Sequence, residues 1–143
     1  MALIADSGGV YGLYDASERK HKAIRAAFEA EPGSVIIPMP VLSEIDYLLR
    51  KKLGIRAELD FIDDIRAGAF TLEACSPEDL TRCAALVETY RDLDLGLADA
   101  CVIACAERLN ALRILTVDER HFRAVRTRRG KPLILIPADS SRG

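Results

Sequence analysis

The chain has 143 residues, of which half are hydrophobic and 29% are charged, and its formal net charge is −2. This composition is typical of a folded globular protein and argues against intrinsic disorder, and the length predicts a single domain with a proper core. No apolar run approaches the ~18 residues that a transmembrane helix needs. The N-terminus also lacks the basic flank and long apolar region of a signal peptide.

The four cysteines predict no disulfide or metal motif. Cys75, Cys83, Cys101 and Cys105 show neither CxxC spacing nor Cys/His metal spacing. The last two lie one helical turn apart on an apolar helix, and we interpret them as reduced core residues. Reduced cysteines suit a cytoplasmic protein.

Short apolar strands alternate with helices in the first half of the chain. Residues 2–5 predict a buried strand, after which Ser7-Gly8-Gly9 predicts a turn and a loop into a helix over residues 17–30. Residues 35–37 predict a second strand, followed by a helix over about 41–53. The next amphipathic helix is expected to point three apolar side chains inward: Leu59, Ile62 and Ile65.

The second half continues the alternation. Residues 69–72 form a weaker strand candidate, and Ser76 predicts the start of a helix that runs to about Tyr90. After it come the remaining predicted elements: an apolar helix over 95–109, a strand over 113–117, a short helix or turn from Phe122 and a strand over 133–136. We expect one domain over residues 1–137 and a flexible tail over 138–143.

This alternation predicts an α/β protein, a three-layer α/β/α sandwich with a central parallel sheet of four to five strands. In such sheets, ligand sites form beyond the carboxyl ends of the strands. Residues that directly follow a strand are therefore the first candidates for a functional site.

One charged residue stands inside the apolar helix. Residues 95–109 read LGLADACVIACAERL, with Asp99 in the first turn. A helix that is apolar on every face belongs in the interior of a domain, where a carboxylate normally is neutralised, is paired or binds a metal. The simpler alternative is that Asp99 complements the positive N-terminal end of the helix.

Three further acids are expected at the same edge of the sheet. Asp6 directly follows the first strand, Asp118 follows the strand over 113–117, and Glu44 lies in the first turn of the helix after the second strand. Asp99 joins them if the N-terminal end of its helix faces this edge. Asp6 and Asp118 could each be turn formers, and Glu44 a partner of the helix dipole. Four such acids together predict one acidic pocket.

Four carboxylates in one pocket repel each other and raise at least one pKa, a conflict that a divalent cation removes. Because the predicted ligands are oxygens, the expected ion is Mg²⁺ or Mn²⁺ rather than Zn²⁺. Such ions activate water and stabilise the leaving oxygen in phosphodiester hydrolysis. The predicted metal ligands are Asp6, Asp99 and Asp118, with Glu44 as a further ligand or acting through a water. Ser7 and Thr116 are candidates for orienting waters or ligands.

Other polar and aromatic residues are weaker candidates. Asp46 is the main competitor of Glu44, because it flanks the same apolar stripe. His21 and His121 lack a paired nucleophile, and we interpret them as surface or structural residues. Four aromatic residues are interpreted as packing residues: Tyr11, Tyr14, Tyr47 and Phe122.

The basic residues form three groups, within 19–25, 50–56 and 120–131. Each could bind a polyanion locally, although a solvated helix face is the more common explanation. The acidic pocket also fits two other functions: a DNA nuclease or phosphatase that uses the same ions, and a non-catalytic module whose acids bind a basic partner.

Four features together resemble the PIN-domain ribonucleases, and more narrowly the VapC toxins of bacterial toxin–antitoxin pairs. They are the strand that ends in Asp6-Ser7, the early helical Glu44, the run LGLADACVIACAERL and the late TVDERHF. The resemblance implies a compact α/β/α domain with Mg²⁺- or Mn²⁺-dependent endoribonuclease activity on RNA. It also implies a homodimer that a small VapB-type antitoxin neutralises.

The acidic site of this family maps onto the four acids chosen above on physical grounds, Asp6, Glu44, Asp99 and Asp118. Thr116 matches the family's hydroxyl before the last acid, and Ser7 matches the one after the first. Asp94 lies directly before the run LGLADACVIACAERL, and we do not assign it as a metal ligand. No acid of the family's core site is missing from the chain.

Overall fold

Five short strands form one parallel sheet in a computed structural model of the protein, which describes residues 2–140. The strands are β1 (Leu3–Ala5), β2 (Val35–Pro38), β3 (Phe70–Glu73), β4 (Arg113–Leu115) and β5 (Ile134–Ile136). Their order in the sheet is β3-β2-β1-β4-β5, and every neighbouring pair is parallel. The predicted α/β sandwich with a central parallel sheet is confirmed.

Helices flank this sheet and connect its strands. They are α1 (Ser7–Tyr14), α2 (His21–Ala30), α3 (Met39–Leu53), α4 (Ile55–Arg66), α5 (Pro77–Thr89), α6 (Leu97–Arg108) and α7 (Glu119–Ala124), with a 3-10 turn at Arg91–Leu93. Within residues 2–140, none of these helices combines the length and the apolar character that crossing a membrane requires.

The strand order reverses beside β1, which lies at the centre of the sheet. The chain first builds outwards through β2 and β3, and it then returns to the other side of β1 to form β4 and β5. In parallel sheets, the crevice at the carboxyl ends of the strands at such a reversal is the usual ligand site. The topology therefore directs attention to the residues that follow β1 and β4.

The core takes buried residues from all five strands and all seven helices, and β1 and α6 contribute continuous buried runs. All three residues of β1 have no exposed surface, and residues 100–106 of α6 are buried without interruption. A helix with an apolar circumference and a strand covered on both faces are what the interior of a layered α/β fold requires. The helix start predicted at Ser76 is confirmed, and the Ser76 hydroxyl and the Asp79 carboxylate each accept a backbone N–H of the other residue, which makes a capping box.

The chain becomes helical earlier than the sequence predicts. Helix α1 begins at Ser7, directly after β1, where the glycines predicted a turn and a loop. The Asp6 carboxylate caps this helix by accepting the Gly9 N–H. A Cβ on Gly9 would lie 2.1 Å from the Leu115 carbonyl oxygen, so this glycine reflects the close approach of α1 to β4.

Other boundaries and burial predictions were also wrong. Helix α2 begins only at His21, and α3 begins at Met39, which places Glu44 in its second turn. On α4 the fully buried side chain is Phe61, whose ring meets those of Tyr14 and Phe70 edge to face, and Ile65 packs against the core as predicted. Because neighbouring helical positions point ~100° apart, this contact turns Leu59 and Ile62 of the predicted apolar stripe outwards. Three side chains that were expected to pack inwards are exposed: Leu59 by 38%, Ile62 by 41% and Tyr47 by 58%.

The start of the predicted C-terminal tail packs against the domain. The Asp139 carboxylate is buried and accepts hydrogen bonds from Arg123 (2.7 Å) and from the Leu135 N–H (3.0 Å). Asp139 is therefore anchored between exposed neighbours, and the flexible tail over 138–143 stays a prediction. The rest of that tail, 141–143, lies outside the described residues.

Candidate active site

Asp6 and Asp118 follow the two strands beside the reversal of strand order. Strands β1 and β4 pair in register, with Ala5 opposite Leu115, and the Asp6 N–H donates to the Leu115 carbonyl (3.2 Å). Asp118 lies at the N-terminal cap of α7, where its carboxylate accepts the His121 N–H (3.0 Å). Both acids therefore cap a helix, and both stand at the carboxyl edge of the sheet.

Thr116 connects these two acids. Its buried hydroxyl donates to Asp6 Oδ2 (2.5 Å) and accepts the Asp118 N–H (2.9 Å). The other Asp6 oxygen, Oδ1, accepts the Gly9 N–H (2.7 Å). Both oxygens of Asp6 are held in place, so its carboxylate has a fixed orientation.

Glu44 and Asp99 complete the acidic cleft from two further helices. Glu44 of α3 accepts a short hydrogen bond from the Ser7 hydroxyl, and Asp99 occupies the first turn of α6. All four acids line one cleft of about 390 Å³. Asp6 is buried, Asp99 and Asp118 are half-buried, and Glu44 is exposed.

Burial and mutual repulsion raise the pKa of two of these acids. Burial raises the pKa of Asp6 to about 7, with further increases from Asp99 and Asp118, although the hydrogen bonds from Thr116 and Gly9 act in the opposite direction. Burial also raises the pKa of Asp99, and the negative charge of Asp118 adds to this effect. Within residues 2–140, no lysine or arginine forms an ion pair with any of the four acids.

The donor set of the cleft fits a hard divalent cation. One oxygen each of Asp99 and Asp118 and one ring nitrogen of His121 lie within 4.8 Å of one another. No residue in the described part of the chain donates a hydrogen bond to the Asp99 carboxylate, so its oxygens are open to a ligand. Carboxylates dominate this set, and they are the ligands that Mg²⁺ and Mn²⁺ prefer.

His121 was interpreted from the sequence as a surface or structural residue, but it stands at the edge of the acidic cluster. Its Nδ1 lies 2.5 Å from Asp118 Oδ2. The sequence signal that indicates this contact is the spacing of three residues at the start of a short helix, which places the two side chains on one face. His21 differs, because its Nδ1 faces the Gly12 carbonyl oxygen at 2.7 Å.

Two other candidates lie outside the acidic cleft. Asp46 contacts Glu58 of α4, and the hydrogen bond between their carboxyl groups raises the pKa of Asp46. Part of the third basic group, residues 128–131, contributes to a separate cavity of about 590 Å³ near Arg108, at the C-terminal end of α6. Asp99 lies at the opposite end of this helix, which is ~18 Å long.

The sequence and the fold both match known proteins. Residues 4–127 match the PIN domain family. The chain is 31% identical over 135 residues to ribonuclease VapC26 of Mycobacterium tuberculosis, a match that covers 94% of this chain and all of that protein.

Solved structures share this fold at lower sequence identity. The VapC20 toxin of M. tuberculosis, described as cleaving the sarcin–ricin loop, superposes with a TM-score of 0.74 at 18% identity, over 83% of this chain and 92% of that one. A toxin–antitoxin complex from Klebsiella pneumoniae superposes with a TM-score of 0.66 at 24% identity, over 87% of this chain and 92% of that one. VapBC2 of Rickettsia felis, bound to promoter DNA, superposes with a TM-score of 0.65 at 15% identity, over 94% of this chain and 97% of that one.

The family match covers most of the chain, and the sequence relative spans nearly all of it. The matched region contains all four acids of the cleft and both hydroxyl residues that bond to them. The chain therefore belongs to the PIN-domain family and, within it, to the VapC proteins.

Proposed function

We propose that this protein is a metal-dependent endoribonuclease, the toxin of a toxin–antitoxin pair. Asp6, Asp99 and Asp118 are the proposed ligands of Mg²⁺ or Mn²⁺, and Glu44 acts as a further ligand or through a bound water. The observation that carries the proposal is the Asp99 carboxylate. It is half-buried and near Asp118, and it receives no hydrogen bond from any residue in 2–140. The relative VapC26 is named a ribonuclease, which supports RNA as the substrate.

The chain's own residues would position the acids for this reaction. Thr116 and the Gly9 N–H hold both Asp6 oxygens, and Ser7 holds Glu44. His121 stabilises the negative charge of Asp118 through Nδ1. When bound, Mg²⁺ or Mn²⁺ supplies an activated water and stabilises the leaving oxygen of the phosphodiester.

Two kinds of protein partner belong to the proposal. The similar K. pneumoniae and R. felis structures contain toxin–antitoxin assemblies, so we propose a small antitoxin whose cationic groups enter the acidic cleft. We also propose a homodimer, because Ile55, Leu59 and Ile62 leave apolar surface exposed on α4. The free cysteines suit a reducing compartment, and we therefore place the activity in the cytoplasm.

The test is cleavage of total RNA by the purified protein, with Mg²⁺, with Mn²⁺ and with EDTA. We expect defined fragments with either ion and none with EDTA. Asp99→Asn should abolish cleavage and the rise in melting temperature that the metal causes, because ligand binding stabilises the native state. Asp94→Asn is the matched control, because Asp94 is exposed and lies outside the cleft.

Three results would contradict the proposal. Cleavage that persists in EDTA would exclude the metal, and full activity in Asp99→Asn would exclude the assigned site. If the protein cleaves single-stranded DNA and leaves RNA uncleaved, its substrate is DNA rather than RNA.

A further inference from the structure

Three cysteine side chains converge between β3, α5 and α6. Cys75 lies in the loop between β3 and α5, Cys83 is in α5 and Cys101 is in α6. The Sγ atom of Cys101 lies 3.2 Å from that of Cys75 and 3.6 Å from that of Cys83, and all three sulfurs lie within 4.8 Å of one another. The three residues are free thiols, and the carboxylate chemistry of the cleft does not use them.

The spacing of these sulfurs matches that of thiolates around one metal ion. Zn–S bonds of about 2.3 Å in tetrahedral geometry place two sulfurs about 3.8 Å apart. The thiol triangle therefore needs only small side-chain adjustments to hold an ion near its centre. Sulfur ligands select soft cations over Mg²⁺, so the acidic cleft and this triangle favour different ions.

The surroundings of Cys75 are already ordered. Arg108 of α6 forms ion pairs with Glu73 and Asp79, on either side of Cys75 in the sequence. It also donates to the Ala74 carbonyl at 3.3 Å. These contacts hold the loop against α6. The conformational entropy lost in bringing the three thiols together is therefore already lost on folding, before a metal binds.

Access to the three thiols differs in a way that suits metal entry. Cys83 and Cys101 are buried, whereas Cys75 is half-buried. A metal ion can enter from the side of Cys75, where water can occupy a fourth position. Two ligands are thus shielded from solvent, and the third leaves a side through which a metal ion can reach the site.

We propose that Cys75, Cys83 and Cys101 form a binding site for one soft, thiolate-preferring metal ion such as Zn²⁺. The ion joins the loop after β3 to α6, two residues from Asp99. This site is separate from the carboxylate cleft, and its existence does not depend on RNA cleavage.

The test uses Cd²⁺ as the probe, because cadmium bound to thiolates gives an ultraviolet charge-transfer band. The full chain, reduced with a phosphine and stripped of metal, is titrated with Cd²⁺. We expect the band to saturate at one equivalent and to persist in excess Mg²⁺. X-ray absorption of the Zn²⁺ form should show three sulfur ligands.

Variants assign the ligands. Cys75→Ser, at the half-buried position, and Cys83→Ser should each weaken Cd²⁺ binding by about ten-fold or more. Cys105→Ser is the matched control, since Cys105 lies on the same helix as Cys101 but outside the triangle, and it should keep the band. Asp99→Asn should keep it too, because the cleft is a different site.

Several results would overturn the proposal. The proposal is wrong if the wild-type protein gives no charge-transfer band, or if the band survives in both Cys75→Ser and Cys83→Ser. Loss of the band in Cys105→Ser alone would also contradict it. A Cys75–Cys101 disulfide that forms despite the reductant would mean that the convergence serves oxidation instead.

Discussion

His121 and Asp118 form a close pair at the edge of the acidic cleft. His121 Nδ1 lies 2.5 Å from Asp118 Oδ2, and His121 Nε2 lies 2.8 Å from the Leu93 carbonyl oxygen. Both ring nitrogens therefore face acceptors, an arrangement that favours the doubly protonated imidazolium. The hydrogen bond to Asp118 accordingly raises the pKa of His121.

Replacing His121 should weaken cleavage without unfolding the protein. A hydrogen-bonded partner that orients a metal ligand typically contributes 10–100-fold to metal affinity or activity, so His121→Ala should lower the cleavage rate by about that factor. The measurement is the single-turnover rate at saturating Mg²⁺, with His21→Ala as the control. Unchanged cleavage with tighter metal binding would show that His121 merely competes with the ion for Asp118.

The raised pKa of Asp6 predicts an unusual pH dependence of the metal-free protein. The ordinary pKa is 3.8 and the folded value is about 7, so between these values the folded state keeps a proton that the unfolded state has lost. The free energy of unfolding should therefore fall as pH rises through this window and level off above about 7. Denaturant titrations across pH measure this, and Asp6→Asn should reduce the slope.

The same proton competes with a metal ion. Because binding through Asp6 displaces the proton, the rise in melting temperature caused by Mg²⁺ should increase between about pH 6 and about pH 8. Asp94→Asn, outside the cleft, should show the wild-type increase. A shift that is constant across this range would remove Asp6 from the ligand set.

Glu44 and Asp46 provide a matched comparison on one helix. Glu44 lines the cleft beside Ser7, whereas Asp46 contacts Glu58. Glu44→Gln removes a negative charge from the cleft and should lower the cleavage rate and the apparent affinity for Mn²⁺. Asp46→Asn should leave both unchanged. Equal effects of the two substitutions would mean that charge anywhere on α3 matters, rather than the position of Glu44.

Gly9 should tolerate no side chain. A Cβ at this position would approach the Leu115 carbonyl oxygen to 2.1 Å, and the chain must shift to relieve the clash. We expect Gly9→Ala to lower the free energy of unfolding by about 1–3 kcal/mol and to lower cleavage, because the Gly9 N–H orients Asp6. Gly33→Ala has open space around its Cβ and should be near neutral. Comparable losses in both variants, measured by denaturant titration, would reject the packing argument.

Local patterns in the sequence predicted the fold class and which acids deserved attention. Apolar runs over 35–37 and 133–136 are typical of strands within a covered sheet, and Asp6 and Asp118 lie directly after the predicted strands. The helix start at Ser76 depends on contacts within four residues, which is why it could be predicted. Helix α1 could not be predicted in this way. Gly9 is required there because a side chain would clash with Leu115, a residue distant in the chain.

The amino-acid sequence by itself determined the alternation of strands and helices and the presence of acids at strand ends, since both follow from local periodicity and chain order. Only the tertiary structure decided that His121 joins Asp118 and that three cysteines from separate segments meet. Each of these outcomes depends on the rotation and depth of a packed helix. Side chains distant in sequence set that rotation, as Phe61 does when its aromatic contacts turn Leu59 and Ile62 outwards.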